Sequence, residues 1–270
     1  MAAHLLEDPK AVYSVKIIGR EVLNHDTILF RLELPSEKHI LGTKSGQHFL
    51  IIATINGEKI SRKYTPTTLE DQQGFFEFII KIYRPCEKFP DGGKLGPYLE
   101  NLNIDDYMDI QGPIGRCTYL HNGLFEYKHE KSSPLISKKV NKIGFVAGGS
   151  GITPFLQIIK TICHDKSDDT KVSLIFANNT EDDIITRKEL EELQLNNPDK
   201  FKIWYTVTKS IYPDWNYSEG FVNEEIIKKH LPAPESDVLV MVCGPKPMVW
   251  QCVMPILDSI GYTKDMLFKY

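Results

Sequence analysis

The sequence predicts a two-domain fold in which an antiparallel β-barrel is followed by an α/β domain built on a parallel sheet. In the first 120 or so residues, short runs alternate apolar and polar side chains, which is the period of half-buried strands. Further along, strand-like and helix-like runs alternate, as in a parallel sheet covered by helices on both faces. A polar, irregular stretch separates the two patterns. We therefore expect a barrel domain over 11–124, a linker over 125–141 and an α/β domain over 142–270.

The composition is that of a globular protein and argues against several functional classes. The chain has 270 residues, is 41% hydrophobic and carries a formal net charge of -4, which disfavours a nucleic-acid-binding surface. Its five cysteines include no C-x-x-C pair, so we expect reduced thiols and no metal site or disulfide framework. No apolar run approaches the roughly 18 residues that span a bilayer, and the first ten residues lack the pattern of a signal peptide. We expect a soluble, cytoplasmic monomer; a membrane anchor in a precursor stays open.

The barrel half contains five strand-like runs separated by turn sequences. These runs, rich in β-branched and aromatic residues, are 13–18, 27–34, 48–55, 75–83 and 107–111. Asn56-Gly57 after the third run is a hairpin signal between two strands. One short helix is expected at Gly96, with Pro97 in its first turn.

Two segments of the barrel half carry residues suited to a phosphate. In Arg62-Lys63-Tyr64-Thr65-Pro66 the arginine can pair with a phosphate and the tyrosine can lie against a planar ring. The turn Phe89-Pro-Asp-Gly-Gly-Lys-Leu-Gly96 has N–H groups that we expect to be free, and these with Lys94 suit a second phosphate. Taken singly, the first is better explained as an edge strand with an exposed arginine and the second as an ordinary loop. Together they indicate a barrel that presents the pyrophosphate of a dinucleotide.

The second half alternates strands and helices. Strands are predicted at 142–147, 171–177, 201–207, 238–243 and 266–269, and helices at 153–164, 186–195, 223–230 and 246–259. In Ala147-Gly-Gly-Ser-Gly-Ile-Thr-Pro154, three glycines follow the first strand and lead into a helix. A backbone without Cβ atoms can approach a pyrophosphate at a helix N-terminus, although a tight turn between packed elements has the same pattern.

Two further strand ends carry candidate ligand-binding residues, because ligands of parallel sheets gather beyond the carboxyl ends of the strands. One is Ala177-Asn-Asn-Thr180 and the other is Cys243-Gly-Pro245. Cys243 can touch a ligand ring or can be a small buried residue, and asparagines are common turn formers. The three strand ends are therefore candidates for a nucleotide site.

These motifs, in this order, resemble the ferredoxin–NADP reductase superfamily, and within it the NADH–cytochrome b5 reductase family. The resemblance runs from about Ser14 to the C-terminus. It is carried by Arg62-Lys-Tyr-Thr-Pro66, Gly92-Gly-Lys94, the glycine turn, Leu174-Ile-Phe-Ala-Asn178, Gly220-Phe-Val-Asn-Glu-Glu225 and Cys243-Gly-Pro245. It implies a six-stranded FAD-binding barrel, a C-terminal domain for the nicotinamide nucleotide, and an enzyme that takes a hydride from NADH and passes electrons singly to a haem protein such as cytochrome b5.

The resemblance also assigns residues to the two cofactors. The FAD set is Arg62, Lys63, Tyr64, Thr65, Pro66, Ile80, Lys81, Ile82, Tyr83, Gly92, Gly93, Lys94, Leu95, Gly96, Thr153 and Pro154. The nicotinamide-nucleotide set is Gly148, Gly149, Asn178, Thr208, Phe221, Cys243, Gly244 and Pro245. Thr65, His48 and Cys243 are the implied catalytic residues: Thr65 resembles the hydroxyl beside the reactive flavin nitrogen, His48 its hydrogen-bonded partner, and Cys243 a residue that holds the two rings together. A buried, hydrogen-bonded histidine is the alternative for His48.

The chain departs from the family pattern at both sites. The FAD turn reads Gly-Gly-Lys-Leu-Gly where the family usually has Gly-Gly-Lys-Met-Ser, so the hydroxyl lost at Gly96 removes a phosphate hydrogen bond worth about 1–3 kcal/mol. Thr208 stands where relatives that select NADH usually have an aspartate, which accepts from the ribose hydroxyl and repels a 2′-phosphate. With Lys209 beside it, we expect weakened NADH preference and appreciable NADPH use. The alternative is that Asp214 supplies the missing carboxylate.

The electron acceptor is the part of the function that the sequence defines least. Cytochrome b5 is acidic, and Lys94, Lys128 and Lys131 are candidate docking residues for it. A reductase for ferredoxin, a quinone or a nitrate-reductase-type haem is an alternative, and no haem or iron–sulfur motif is present, so a partner would supply that group. A non-catalytic binding module with the same fold is the second alternative, supported only by the changed FAD turn.

Overall fold

The computed structural model describes residues 4–5, 8–87 and 89–270. The chain divides into two compact units, Met1–Gly115 and Arg116–Tyr270. The first contains an antiparallel sheet and the second a parallel sheet with helices. The predicted fold class, a β domain followed by an α/β domain, is therefore confirmed. Within the described ranges, no helix combines the length and apolar character needed to cross a membrane.

The first unit is a six-stranded antiparallel sheet that curls into a barrel. Its strands are β1 (Val12–Asn24), β2 (Thr27–Glu33), β3 (His48–Ile55), β4 (Glu58–Tyr64), β5 (Phe75–Lys81) and β6 (Tyr107–Ile114), with helix α1 (Leu95–Glu100) before β6. The spatial order is β4-β3-β6-β1-β2-β5. Pro66, just after β4, bridges Phe78 of β5, and the amide of Thr67 donates to the carbonyl of Glu77 at 2.9 Å. These contacts join the two outer strands.

The hairpin between β3 and β4 sets the register of the strand that carries the arginine motif. Asn56 and Gly57 have φ values of +50° and +80°, the left-handed conformation that a two-residue hairpin of this kind requires. Phe49 then lies opposite Tyr64. A slip of one residue would send every core side chain of β4 to the other face, so the Asn-Gly turn and the apolar alternation together fix where Tyr64 points.

A small antiparallel sheet begins the second unit. Its strands are β7 (Cys117–Tyr119), β8 (Leu124–Tyr127) and β9 (Ile136–Lys139). Phe125 and Tyr127 are fully buried, and the buried hydroxyl of Tyr119 donates to Asp168. The expectation of an irregular linker over 125–141 was wrong, because two strands occupy this stretch and its alternate aromatic residues are buried beneath a polar outer face. The boundaries of the two cofactor-binding domains stay a prediction.

A six-stranded parallel sheet forms the rest of the second unit. Its strands are β10 (Lys142–Gly148), β11 (Lys171–Asn178), β12 (Phe201–Val207), β13 (Ser218–Glu219), β14 (Val238–Cys243) and β15 (Leu267–Lys269), in the order β13-β12-β11-β10-β14-β15. Its helices are α2 (Thr153–His164), α3 (Arg187–Asn196), α4 (Glu224–His230) and α5 (Met254–Ser259). Phe145 of β10 stacks on Phe155 of α2 with ring centroids 4.6 Å apart, whereas the next residue, Val146, packs with Ile226 of α4 and Val253. Helices thus cover both faces, as predicted.

The helix predicted over 246–259 is interrupted. A π-helix over Met248–Val253 leads into α5, in which Pro255 occupies the first turn. Proline has no N–H to donate to the carbonyl of Gln251, and its ring would clash with that carbonyl in a regular α-helix. The wider π turn accommodates both effects. The other predicted strands and helices of this unit lie within one residue of the observed bounds.

Candidate cofactor sites

Five of the predicted nucleotide residues lie along one edge of the parallel sheet. Strand β10 ends at Gly148, β11 at Asn178 and β14 at Cys243. Gly148 pairs with Ala177, Asn178 pairs with Val207, and Ala147 pairs with Cys243. Thr208 directly follows β12, and Phe221 follows β13, the neighbour of β12. Because parallel strands end on the same side, the sheet topology brings together residues that are up to 95 positions apart in the chain.

The glycines of this edge have two different roles. A Cβ on Gly151 would lie 2.3 Å from the carbonyl oxygen of Cys243, and one on Gly148 would lie 2.7 Å from the sulfur of Met248. A Cβ on Gly244 would likewise meet Met248, at 2.8 Å. These three glycines therefore allow the chain segments around them to approach Cys243 and Met248 closely. Gly149 is different, because its φ is +52° and no atom lies within 4 Å of its Cβ position, so its backbone is open to a ligand.

The predicted helix N-terminus follows these glycines directly. A 3₁₀ turn over Gly149–Ile152 leads into α2, and no described side chain caps either element. The hydroxyl of Thr153 donates to the carbonyl of Ser150 at 3.1 Å, and Pro154, at the start of the helix, has no amide that needs a partner. The amide of Thr153 also donates to the carbonyl of Ser150, so it is the positive end of the α2 dipole, and not the amides of its first two residues, that suits a pyrophosphate at this edge.

Asn178 provides the test of whether this edge fits a nucleotide. Both polar atoms of its side-chain amide are buried, and neither has a hydrogen-bond partner among the described residues. Its backbone carbonyl is occupied, since it accepts from the amide of Thr208 at 3.0 Å. A buried amide without partners costs about 1–3 kcal/mol. A ligand with donor and acceptor groups at the end of β11 would satisfy it, so the residues present fit the expected nucleotide.

Thr208 and the residues after it lie on the surface at the end of β12. Thr208 and Lys209 are both exposed, and Lys209 has no ion-pair partner within the described ranges. Asp214 lies in an exposed turn in which the amide of Trp215 donates to the carbonyl of Tyr212 at 3.4 Å. Whether the Asp214 carboxylate reaches a bound ribose stays a prediction.

Cys243, at the end of β14, has a neutral thiol. Burial raises the pKa of its thiol to about 12. A thiol with that pKa is protonated at neutral pH and is not a thiolate nucleophile. Phe221 is 76% exposed, Pro245 is exposed and Gly244 is half-buried. The edge therefore offers a thiol, an aromatic ring and backbone groups to a ligand.

The barrel unit presents the arginine motif on strand β4. Arg62 and Tyr64 share one strand face, and Lys63 lies on the other. Arg62 is exposed and donates to the carbonyl of Ser61 at 2.8 Å. The Tyr64 ring meets Phe78 edge-on with centroids 6.4 Å apart, and burial raises the pKa of its phenol to about 12. An exposed guanidinium beside a supported aromatic ring fits a phosphate next to a planar ring system.

His48 and Thr65 are neighbours by register. The last paired residues of β3 and β4 are Phe49 and Tyr64, so His48 and Thr65 come one step beyond them on adjacent strands. Residues at opposite positions of an antiparallel pair have side chains about 5 Å apart. Thr65 is 7% exposed and His48 is half-buried. This placement supports the pairing of the two residues, and their role in catalysis stays a prediction.

The strand predicted to lie beside flavin and adenine offers mainly backbone. Ile80 and Ile82 are buried in the barrel core at 0% and 2% exposure. The ammonium group of Lys81 pairs with Asp26 at 2.6 Å, and Tyr83 is 49% exposed. The isoleucine side chains are therefore core residues, and Tyr83 is an exposed side chain of this group.

The second predicted phosphate turn differs from expectation. The amide of Gly92 donates to the carbonyl of Phe89 at 3.1 Å, and that of Gly93 donates to the carbonyl of Tyr83 at 2.7 Å. The expectation that these two N–H groups are free was wrong, because the turn uses them to fold onto the end of β5. Leu95 is buried in the core, and a Cβ on Gly96 would lie 3.4 Å from Ile82, an ordinary contact, so the serine usual in the family would fit.

Lys94 has a partner that the sequence patterns did not reveal. Its ammonium group lies 2.8 Å from a carboxylate oxygen of Glu58, and both side chains are exposed. The hydrogen bond and charge of Lys94 lower the pKa of Glu58, and Arg62 lowers it further. Glu58 therefore lies beside both cationic side chains that were assigned to FAD phosphates. Strand alternation places Glu58 on the same face as Arg62, but the pairing with Lys94 spans 36 residues and has no local signal.

Glu58→Gln is expected to tighten FAD binding about twofold to fivefold at low salt. The carboxylate competes with a phosphate for Lys94, and exposed pairs have small effects that salt screens. The measurement is the FAD dissociation constant of deflavinated protein at two salt concentrations. Glu235→Gln, which removes the exposed partner of Lys142, is the matched control. Equal FAD affinity in the Glu58 variant and wild type would contradict this prediction.

The remaining predicted docking lysines differ in exposure. Lys131 is exposed and Lys128 is half-buried, and both belong to the segment between β8 and β9. Lys94 is engaged with Glu58. The basic character expected at Lys94 is thus partly neutralised, whereas Lys131 keeps an exposed charge.

Comparisons with known proteins agree with both halves of this picture. Residues 14–119 match the oxidoreductase FAD-binding domain and residues 145–253 the oxidoreductase NAD-binding domain. The chain is 45% identical to NADH-cytochrome b5 reductase 2 of Rattus norvegicus, over 98% of this chain and 96% of the relative. It is 43% identical to the Homo sapiens protein of the same name, with the same coverage. The cytochrome b5 reductase domain of Ulva prolifera nitrate reductase has a TM-score of 0.91 at 35% identity, covering 99% of this chain and all of that chain.

The barrel, the parallel-sheet edge and these domain matches define an oxidoreductase with an FAD-binding and an NAD-binding domain. Both cofactor classes expected from the sequence are confirmed at this level. The extent of the similarity is decisive for the family, since a relative above 40% identity aligns over nearly the whole of both chains. The chain belongs to the NADH-cytochrome b5 reductase family.

Proposed function

We propose that the protein takes a hydride from NADH and passes electrons singly to cytochrome b5. The observation that carries this proposal is the sheet edge at which Gly149, Asn178 and Cys243 converge, in a chain whose relatives are NADH-cytochrome b5 reductases over nearly their full length. FAD, when bound, supplies the chemistry that accepts a hydride and releases electrons one at a time.

The protein's own residues bind and orient the two cofactors. In the barrel unit, Arg62 neutralises a phosphate, Tyr64 and Tyr83 lie against planar rings, and the backbone of β5 lines the site. In the second unit, the open backbone at Gly149 and the start of α2 receive the pyrophosphate. Asn178 and Cys243 then fix the lateral position of the nucleotide. Orientation of this kind contributes most of the catalytic effect, because the reacting groups are held in a near-attack geometry.

The experiment that tests the activity is an anaerobic visible spectrum of the purified holoprotein, titrated with NADH and then mixed with cytochrome b5. Bleaching of a flavin spectrum by NADH, followed by reduction of the haem, would support the proposal. Bleaching without haem reduction would favour another acceptor, such as ferredoxin or a quinone. A colourless protein that takes up no added FAD would favour the non-catalytic binding module.

NADPH use is a second proposed activity of the same site. Thr208 leaves the end of β12 without the carboxylate that repels a 2′-phosphate, and the exposed Lys209 offers an opposite charge. The measurement is kcat/KM for both nucleotides with one acceptor. A kcat/KM for NADH more than about 100-fold above that for NADPH would overturn this proposal, because so strong a preference requires a repulsive charge that Thr208 does not provide.

Thr65→Val is expected to slow flavin reduction by NADH about tenfold. Removing the hydroxyl takes away the hydrogen bond proposed to manage the flavin proton together with His48, while the β-branched shape is kept. Stopped-flow absorbance measures this step directly. Thr67→Val is the matched control, because Thr67 is buried to 1% exposure two residues further on. Unchanged flavin reduction in the Thr65 variant would exclude the relay.

The location of the protein and its oligomeric state stay predictions. A cytoplasmic monomer is the expectation from composition and cysteine usage. Size-exclusion chromatography with light scattering tests the oligomeric state.

A further inference from the structure

The segment Thr208-Lys209-Ser210-Ile211-Tyr212, which we call the β12 loop, is hydrogen-bonded to the last residue of β11 and to the residue after it. The amide of Thr208 donates to the carbonyl of Asn178 at 3.0 Å, and that of Lys209 donates to the carbonyl of Asn179 at 3.1 Å. These two bonds continue the pairing of β11 and β12 beyond the ends of the strands. They fix the backbone of the two exposed residues that directly follow β12.

The buried carboxylate of Glu181 holds the next part of the β12 loop. Glu181 is 6% exposed, and its carboxylate accepts from the Ser210 hydroxyl at 2.6 Å and from the Ile211 amide at 3.1 Å. Its neighbour Asp182 accepts from the Tyr212 hydroxyl at 2.9 Å. The backbone that presents Glu181 is itself fixed, because Thr180 and Asp183 form a capping box around the 3₁₀ turn Glu181–Asp183.

Glu181 is not compensated by a cation. No described lysine, arginine or histidine forms an ion pair with it. Burial acts to raise its pKa, but the hydrogen bonds from Ser210 and from backbone amides prevail and lower the pKa below its ordinary value. A carboxylate that is buried without a cation is stabilised only by its hydrogen bonds, which here all come from the turn and the β12 loop. Part of the cost of burying it is therefore offset by the β12 loop in this position.

We infer that Glu181 is a positioning residue for the nicotinamide nucleotide. Glu181 holds the β12 loop so that Thr208 and Lys209 face the ribose that bears the 2′ substituent. This inference rests on the proposed nucleotide site at the sheet edge. Glu181 acts through the loop and does not touch the nucleotide. Its removal therefore weakens nucleotide binding with little change in the chemical step.

Glu181→Gln in the full-length holoprotein tests this inference, because the amide keeps the shape but turns an N–H group toward one of the two donors. Hydrogen exchange of the backbone amides of the β12 loop is expected to become at least about tenfold faster. The dissociation constants of 5′-AMP and 2′,5′-ADP, measured by calorimetry, are expected to rise about fivefold, and KM for NADH is expected to rise similarly with kcat within about twofold. Glu192→Gln, an exposed carboxylate of α3, is the matched control and leaves all of these values unchanged.

Two further variants make the result decisive. Ser210→Ala removes one bond to Glu181 and is expected to act in the same direction at about twofold, which covers the case in which Glu181→Gln folds poorly. Lys209→Gln is expected to weaken 2′,5′-ADP alone. Unchanged exchange or unchanged nucleotide affinity in both Glu181→Gln and Ser210→Ala would overturn the positioning role. Unchanged 2′,5′-ADP binding in Lys209→Gln would overturn the contribution of Lys209 to NADPH use and leave the Glu181 result to stand by itself.

Discussion

Thr208→Asp is expected to lower kcat/KM for NADPH at least about thirtyfold and to leave that for NADH within about threefold. The variant places a carboxylate directly after β12, beside the carbonyl of Asn178 to which the Thr208 amide is bonded. Like charges brought together in a binding site cost several kcal/mol, and the 2′-phosphate is the only group in which the two nucleotides differ. The carboxylate can also accept a hydrogen bond from the ribose hydroxyl of NADH.

Thr208→Asn separates charge from shape in this experiment. The asparagine has nearly the size of aspartate but no charge, so it is expected to affect the two nucleotides about equally. Steady-state kinetics with NADH and NADPH for both variants measure the difference. An equal loss of NADPH activity in the asparagine and aspartate variants would show that size at this position decides the preference, against the electrostatic explanation.

Gly151→Ala is expected to lower the free energy of unfolding of the second unit by about 2–3 kcal/mol and to weaken nucleotide binding. The added Cβ would lie 2.3 Å from the carbonyl oxygen of Cys243 and 2.6 Å from its carbonyl carbon. Backbone atoms cannot move aside as a flexible side chain can, so the ends of β10 and β14 must separate. Overpacking of this kind typically costs 1–3 kcal/mol, and the displaced strand ends are those that form the candidate site.

Gly149→Ala is the matched control for this prediction. Its added Cβ meets nothing within 4 Å, so the variant has only the cost of a left-handed backbone at φ +52°, about 1 kcal/mol. Urea unfolding followed by Trp fluorescence, with wild type and both variants, measures the stabilities. A Gly151 variant no less stable than the Gly149 variant would contradict the close approach of the two strands.

The parts of the fold that depend on local pattern were predictable from the sequence. The Asn56-Gly57 hairpin, the strand–glycine–helix unit around Gly149 and the alternation of the second unit all follow from neighbours in the chain. The interrupted helix before α5 was missed although Pro255 was visible, because a proline can begin a helix as well as widen one. The strands over residues 124–139 were missed because their polar outer face hid two buried aromatic residues.

By itself, the sequence determined the family, the two cofactor classes and the sheet edge at which Gly148, Asn178 and Cys243 end their strands, since strand ends and turn glycines are local features. Only the tertiary structure decided which partners the polar groups find. The pairing of Lys94 with Glu58 and the hydrogen bond between Glu181 and Ser210 depend on how distant segments pack, and the bond of the Gly93 amide to Tyr83 depends on how the turn folds back onto the chain before it. A hydrogen bond depends on distance and direction in space, and the spacing of residues along the chain specifies neither for segments that are 29 or 36 residues apart.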